Sequence, residues 1–344
     1  MPVMKLRALW HQMRCLGLKC LIGIAVVLAM GAATCTSGAS VDVGATPAAL
    51  ADAAARSAGQ PYRTETVLSI GGSPDVVFGT GAINGELFEI TVDVGAYFST
   101  VHDLYPELVG EPDEASDDLS MQMVGDTSNL YLRSEFHHHL QHAANRNFLL
   151  PKPALEELAK LDERWGRIDR APYCDLQPTG FQRKLAGVVN PDSQALLGLL
   201  SHLDSVEELG TREVRNRAVA GLRVDVDVAD LLEALGQPPD ALRRRADGLT
   251  SELVSRTLTM TTPIDVWVDD EGLVRRIRIG FDSEAIAEEL GEDPSSLANR
   301  LMAAGFTDVD KTYTIDFFGY GQSVPIKLPD NVVGLTSAVT RLFG

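Results

Sequence analysis

Leu222-Arg-Val224-Asp-Val226-Asp-Val228 places four aliphatic side chains on one side of an extended chain, with Arg223, Asp225 and Asp227 on the other. A period of two with one apolar and one charged face is the mark of an antiparallel strand that is dry on one side and wet on the other. The same alternation recurs in Phe88-Glu-Ile90-Thr-Val92-Asp-Val94 and in Leu119-Ser-Met121-Gln-Met123. Leu273, Ile277, Ile279 and Phe281 share a face from which Arg276 and Arg278 point away, while Arg275 breaks the pattern. Further strands are predicted near 62–70, 76–83, 129–133, 165–169, 205–215, 263–269, 311–318 and 323–327. Turns containing Gly or acidic residues, such as Asp269-Asp270-Glu271-Gly272, join several of them.

Helical spacing interrupts this pattern in a few places. Thr46–Gln60 reads as a capped, Ala-rich helix stopped at Gln60-Pro61. Pro151–Leu161 and Asp192–Leu203 are short and amphipathic. Val228–Leu235 and Pro239–Leu258 are separated by Gly236-Gln237-Pro238-Pro239, and Ser283–Ala304 sets Ile286, Leu290, Leu297 and Leu301 on one side. No linker divides the body and no repeat is visible. The simplest reading is one α+β domain over 46–344, a single long, curved antiparallel sheet with helices gathered over one face. A sheet of about a dozen strands must curl, and incomplete closure of its apolar face leaves a cavity where a small ligand can sit.

The N-terminus is a different kind of sequence. Lys5, Arg7, Arg14 and Lys19 precede the uncharged run Cys20–Ala33, with no acidic residue before it. A basic stretch, an apolar run too short to span a bilayer and small residues afterwards make a signal peptide over 1–34. Cys35 directly follows and resembles the acylated Cys of a bacterial lipobox, although Thr34 stands where that pattern prefers Gly or Ala. Cleavage after Ala33 to give a plain secreted protein is the alternative. Residues 35–45 then form a flexible tether.

Charge follows the same division. The chain has 344 residues, 45% of them hydrophobic, with 30 Lys+Arg against 48 Asp+Glu for a net charge of −18. Without the four basic residues of the leader, 26 face 48, a formal charge of −22. A nucleic-acid partner calls for the opposite balance. An acidic surface also repels an anionic membrane, so attachment through the N-terminus is the expected route. Of the 4 cysteines, three belong to the leader region and only Cys174 to the body, so the exported domain must rest on its hydrophobic core.

The sequence lacks a G-x-S-x-G elbow, an H-E-x-x-H pair, a C-x-x-C pair and a phosphate-binding Gly-rich loop, and no cofactor signature is present. An enzyme is therefore not expected. One polar cluster stands out: Glu135-Phe-His137-His138-His139-Leu-Gln-His142. On a helix His138 and His142 are i,i+4 neighbours and can share a Zn²⁺ or Cu²⁺ ion with a third ligand, whereas an exposed polar insertion is the plain alternative.

Three stretches carry a likeness to known proteins. They are Met260-Thr-Thr-Pro263-Ile-Asp-Val-Trp267-Val-Asp269-Asp270-Glu-Gly272-Leu-Val-Arg275-Arg276, then Tyr313-Thr-Ile-Asp316-Phe317-Phe-Gly-Tyr320-Gly321 on to Pro329-Asp330, and Trp165-Gly-Arg167-Ile-Asp169. With the leader, these resemble the actinobacterial lipoproteins of the LolA/LppX/LprG-like superfamily over about 62–329. The resemblance implies a half-barrel of highly curved antiparallel strands, closed by helices around a hydrophobic cavity. It implies an envelope lipoprotein on the outer face of the plasma membrane that binds or transports a lipid or other acylated ligand. In it, Pro263 opens a strand, Gly272 makes a tight turn and Trp267 is a packing anchor. The candidates for the cavity wall are the apolar strand faces: Phe88, Ile90, Val92, Met121, Met123, Leu222, Val224, Ile277, Ile279 and Phe317. Long helices that fill the cavity instead would make the chain a non-enzymatic envelope interaction or sensor-modulating protein.

Overall fold

The computed structural model describes residues 44–70, 75–93, 120–126, 128–134, 164–169, 193–201, 203, 205–234, 239, 243, 251–297 and 311–334. Twelve strands form one open sheet: β1 (Tyr62–Ile70), β2 (Val76–Asn84), β3 (Leu87–Asp93), β4 (Ser120–Gly125), β5 (Asn129–Ser134), β6 (Trp165–Asp169), β7 (Glu207–Val214), β8 (Arg217–Asp227), β9 (Thr261–Asp269), β10 (Val274–Phe281), β11 (Lys311–Phe318) and β12 (Val332–Gly334). Their order is β12-β6-β5-β4-β3-β2-β1-β11-β10-β9-β8-β7. Every pairing is antiparallel except that of β12 with β6. The α+β class and the single curved sheet expected from the alternation, and the half-barrel that the resemblance implies, are what the chain adopts.

Turn chemistry fixes the hairpins. Between β9 and β10, Asp269 Oδ1 accepts the backbone N–H groups of Glu271 and Leu273 at 3.0 and 2.9 Å, and Gly272 supplies the positive φ of 68°. Between β7 and β8, Arg215 and Asn216 both have positive φ, 48° and 62°. That is the requirement of a two-residue hairpin turn, and an Arg fills it at a local cost.

Register explains the anomaly at Arg275. Val274 pairs with Val268 and Arg276 with Trp267, so a bulge inserts Arg275 as an extra residue. It allows Val274, Ile277 and Ile279 all to face the core, across from Val268, Val266 and Ile264.

Five helices are described: α1 (Pro47–Ala58), α2 (Ser193–Leu199), α3 (Val228–Ala234), α4 (Ser251–Leu258) and α5 (Ser283–Leu290). Thr46 Oγ1 caps α1 by accepting the Ala49 N–H, and Pro47 sits at its first turn. The predicted helix Ser283–Ala304 does not run through. Gly291 ends α5 in the left-handed conformation at φ 67°, and Asp293 opens a new turn by accepting the Ser296 N–H. The predicted helices over 151–161 and over most of 239–250 lie outside the described residues. Packing of the helices on the sheet is concentrated on β8 and β10, through α3 and α1, and α2 lies against both α1 and α3.

Two expectations for the outer face are corrected. Residues 323–327 form no strand; the chain from 319 to 331 is a strap across the outer face of the sheet. Val324 and Ile326 pack there on Ala82 and Val124, flanked by Leu87 and Trp165, and Asn84 Nδ2 donates to the Val324 carbonyl at 2.9 Å. From β11 to β12 the strap covers seven strand spacings, roughly 34 Å, and β12 joins β6 through the register Val332↔Trp165. Nor do the outer-face charges all meet water. Arg275, Arg276, Asp269 and Asp316 are buried, because the β7–β8 hairpin bends over them. In a flat sheet the tip of that hairpin would lie about 14 Å from β11, yet Arg215 bonds Asp316 on β11 at 2.9 Å.

Candidate functional site

The concave face is one continuous apolar cluster. It includes Leu222, Val224, Ile264, Val266, Ile277, Ile279, Ile315 and Phe317 on β8–β11, and Phe78, Ile83, Phe88, Ile90, Val92, Met123 and Leu130 on β2–β5. Of the ten residues expected to line a cavity, nine lie in this cluster. Met121 holds a strand position opposite Val92 and Ser134, and its side chain lies outside the described residues. The nine fall into two groups. Phe88, Ile90, Val92 and Met123 are neighbours on β3 and β4, with Ile90 directly across from Met123. Leu222, Val224, Ile277, Ile279 and Phe317 belong to the half on which α1 and α3 pack.

The polar features of this face are few and satisfied. Tyr62 Oη and Ser193 Oγ, at the start of α2, share a hydrogen bond of 2.7 Å. Ser57 Oγ donates to the Ala53 carbonyl and accepts the Val274 N–H at 2.8 Å, which ties α1 to β10. Tyr320 donates its hydroxyl to the Val274 carbonyl at 2.7 Å, and burial pushes that hydroxyl well above its ordinary pKa. These groups hold helices to the sheet. They set no nucleophile beside a base.

The outer face carries a polar network that alternation alone did not reveal. Arg276 grips Asp316 with Nε and Nη2 at 2.7 and 3.1 Å, and Arg223 grips Asp265 at 2.7 and 3.2 Å. Such forked pairs are the stronger kind of ion pair. Arg215 adds a bond to Glu65 on β1, so one side chain ties β1 and β11 to the hairpin tip. Arg275 pairs with Asp269 and Glu271 and stacks under Tyr320, 4.9 Å from the ring centroid. Burial pushes the Asp316 carboxyl up, against the pull of Arg276 and Arg215. The hydrogen bond from Arg217 holds Glu271 below the usual carboxylate range. Trp267 is a packing anchor as expected: it lies with Val214 and Val219 under Arg212, whose guanidinium sits 4.8 Å from its ring and is pulled down by desolvation. Gly221 is required beside it, since a Cβ there would come within 2.8 Å of Trp267 Nε1. Arg275 was the legible clue, a charge where the period demanded an apolar residue.

Cys35, His138 and His142 lie outside the described residues. Among the described residues no group of three or more His, Cys, Asp or Glu side chains is placed to hold a metal ion, and no helix is long and apolar enough to cross a membrane.

The sequence matches no protein-family model and no curated protein. Solved structures do align with the chain. It is similar to the lipoprotein LppX of Mycobacterium tuberculosis, at 7% identity and a TM-score of 0.37, over 81% of this chain and 98% of that one. LprF of Mycobacterium bovis aligns at 10% identity and a TM-score of 0.38, over 81% and 94% of the two chains. A DUF1329 family protein from Desulfovibrio piger aligns at 9% identity and a TM-score of 0.20, over 84% and 96%.

Proposed function

We propose that this chain is an exported, non-enzymatic lipoprotein, tethered at Cys35 after removal of residues 1–34, whose body over 46–344 binds a lipid or other acylated ligand for transport. One observation carries the reading. The concave face of β2–β5 gathers Phe78, Ile83, Phe88, Ile90, Val92, Met123 and Leu130 into one buried apolar cluster, while the main sheet contacts of the described helices fall on β8 and β10. The wall of the site is assigned to Phe88, Ile90, Val92, Met121 and Met123. Leu222, Val224, Ile277, Ile279 and Phe317 are assigned to the packed support.

Burial alone suffices for an acyl chain, since each sheltered CH₂ is worth about 0.8 kcal/mol. No polar group is needed to select the ligand, and no reaction on it is implied. A tether also suits the charge, because an acidic body is repelled by an anionic bilayer. The helix-packed half favours a second reading, an envelope protein with a filled core that docks a partner. Mass spectrometry of organic extracts from the purified chain separates the two. An acyl lipid near one equivalent is expected; protein free of lipid that also takes up no fluorescent fatty acid contradicts carriage.

A further inference from the structure

A second concavity lies at the end of the sheet, bordered by Phe317 and Tyr320, where the β7–β8 turn, the β9–β10 turn and the start of the strap meet. It encloses about 140 Å³, and its wall includes Arg215, Arg217, Arg275, Glu271, Phe318 and Tyr320. Three guanidinium-bearing side chains line it with one carboxylate, Glu271, while Glu65, Asp269 and Asp316 pair with the same arginines from behind the wall. Arg275 is more than nine-tenths buried, fixed by Asp269 behind it and by Tyr320 above. Arg215 stacks on Phe318 at 4.2 Å and is held by Asp316 and Glu65. Arg217 is 47% exposed at the rim.

We propose that this pocket is a binding site for a phosphate group, taken either as free phosphate or as the headgroup of an anionic lipid. Size supports a small ligand: the volume suits an anion of a few heavy atoms and is well below the roughly 300 Å³ of a drug-sized site. Chemistry supports an oxyanion. Glu271 already puts a carboxylate on Arg217 at 2.8 Å and on Arg275 at 3.1 Å, so those two guanidiniums are shown to converge on one anionic group. Its own side chain is 53% exposed on a hairpin turn and can rotate away. A phosphate, with four oxygens, can replace that carboxylate and reach Arg215 as well, which a planar carboxylate does less well. Glu271 is then an internal competitor, and the walls of Phe318 and Tyr320 limit solvent screening at the site.

Calorimetric titration of the full chain with inorganic phosphate at low ionic strength tests this, with phosphatidylglycerol and phosphatidylcholine vesicles as the second arm. Glu271→Gln removes the competitor and is expected to tighten binding by roughly two- to fivefold, the worth of an exposed ion pair. Arg217→Gln is expected to weaken it by about tenfold or more. Both positions are exposed, so neither variant threatens the fold. That pattern with inorganic phosphate supports the proposal with a free ion as ligand. The same pattern seen only with phosphatidylglycerol vesicles supports it with a lipid headgroup as ligand. No saturable binding in either arm, or binding that ignores both substitutions, overturns it.

Discussion

Strands β8–β11 and strands β2–β5 carry the same alternation of apolar and polar residues, yet their two faces are covered differently. Over β8–β11 the inner face meets helices and the outer face holds a network of forked Arg–Asp pairs under a bent hairpin. Over β2–β5 the inner-face residues Phe88, Ile90, Val92 and Met123 are buried in the same apolar cluster, away from the main sheet contacts of the described helices, and the outer face is covered by an apolar strap. The contrast teaches that one half is built to be rigid. Buried ion pairs add little net stability, but they penalise any arrangement that separates the partners. A half braced in this way gives the rest of the sheet a fixed support.

The largest effect that sharpens the contrast is expected at Asp316. Replacing it with Ala removes the carboxylate that the buried Arg276 grips and should cost about 3–5 kcal/mol in urea denaturation. Glu89→Ala, an exposed outer-face position on β3, should change stability by less than about 0.5 kcal/mol. Similar losses at both would break the distinction between the halves. On the inner face, Ile279→Ala should cost about 2–5 kcal/mol, as for any packed core truncation. Ile90→Ala should cost less than that, because Ile90 keeps 8% exposure against 0% for Ile279. A larger loss at Ile90 than at Ile279 would contradict the assignment of support and wall.

A smaller effect is expected in the strap. Ile326→Ala should remove about 2 kcal/mol and speed hydrogen exchange in β12 and β6 more than in β9 and β10. Uniform acceleration across the sheet would show that the strap is not a local element. The smallest effect depends on pH. Glu271 has its carboxyl lowered by Arg217, so its contribution is present above the ordinary carboxylate pKa and lost as pH falls through the lowered one. The stability gap between the wild type and Glu271→Gln should therefore be open at neutral pH and close in acid. Asp316 has the opposite sign. Its raised carboxyl stabilises the fold below the ordinary value, and that contribution is lost as pH rises through the raised one. A Glu271→Gln gap that widens in acid would contradict the direction given for Glu271.

Much of this was readable in the residues. Leu222–Val228 and Phe88–Val94 announce strands because a half-buried strand imposes a period of two, and Asp269–Gly272 announces its turn because only certain residues satisfy one. Val324 and Ile326 misled because they share that period; their partners are outer-face residues of distant strands, which local pattern cannot report. The helix from Ser283 was read through Gly291 because apolar spacing continues beyond it, whereas the left-handed backbone there stops it. The Arg–Asp network needed register: Arg276 and Asp316 are cross-strand partners, and sequence separation hides that. The apolar wall candidates were legible as strand faces, but their division into two groups depends on where the helices land.

Uptake of a fluorescent fatty acid by the full chain, compared between one bulky substitution in each half, tests the central claim most directly. Met123 is as buried as Val224, so both variants are compared in the fraction that remains folded, where Met123→Trp should abolish uptake. Val224→Trp, in the packed half, should lower stability while the fraction that remains folded still takes up the probe. Uptake that survives Met123→Trp in a folded protein, or that is absent from the wild type, would contradict an acyl-binding face on β2–β5.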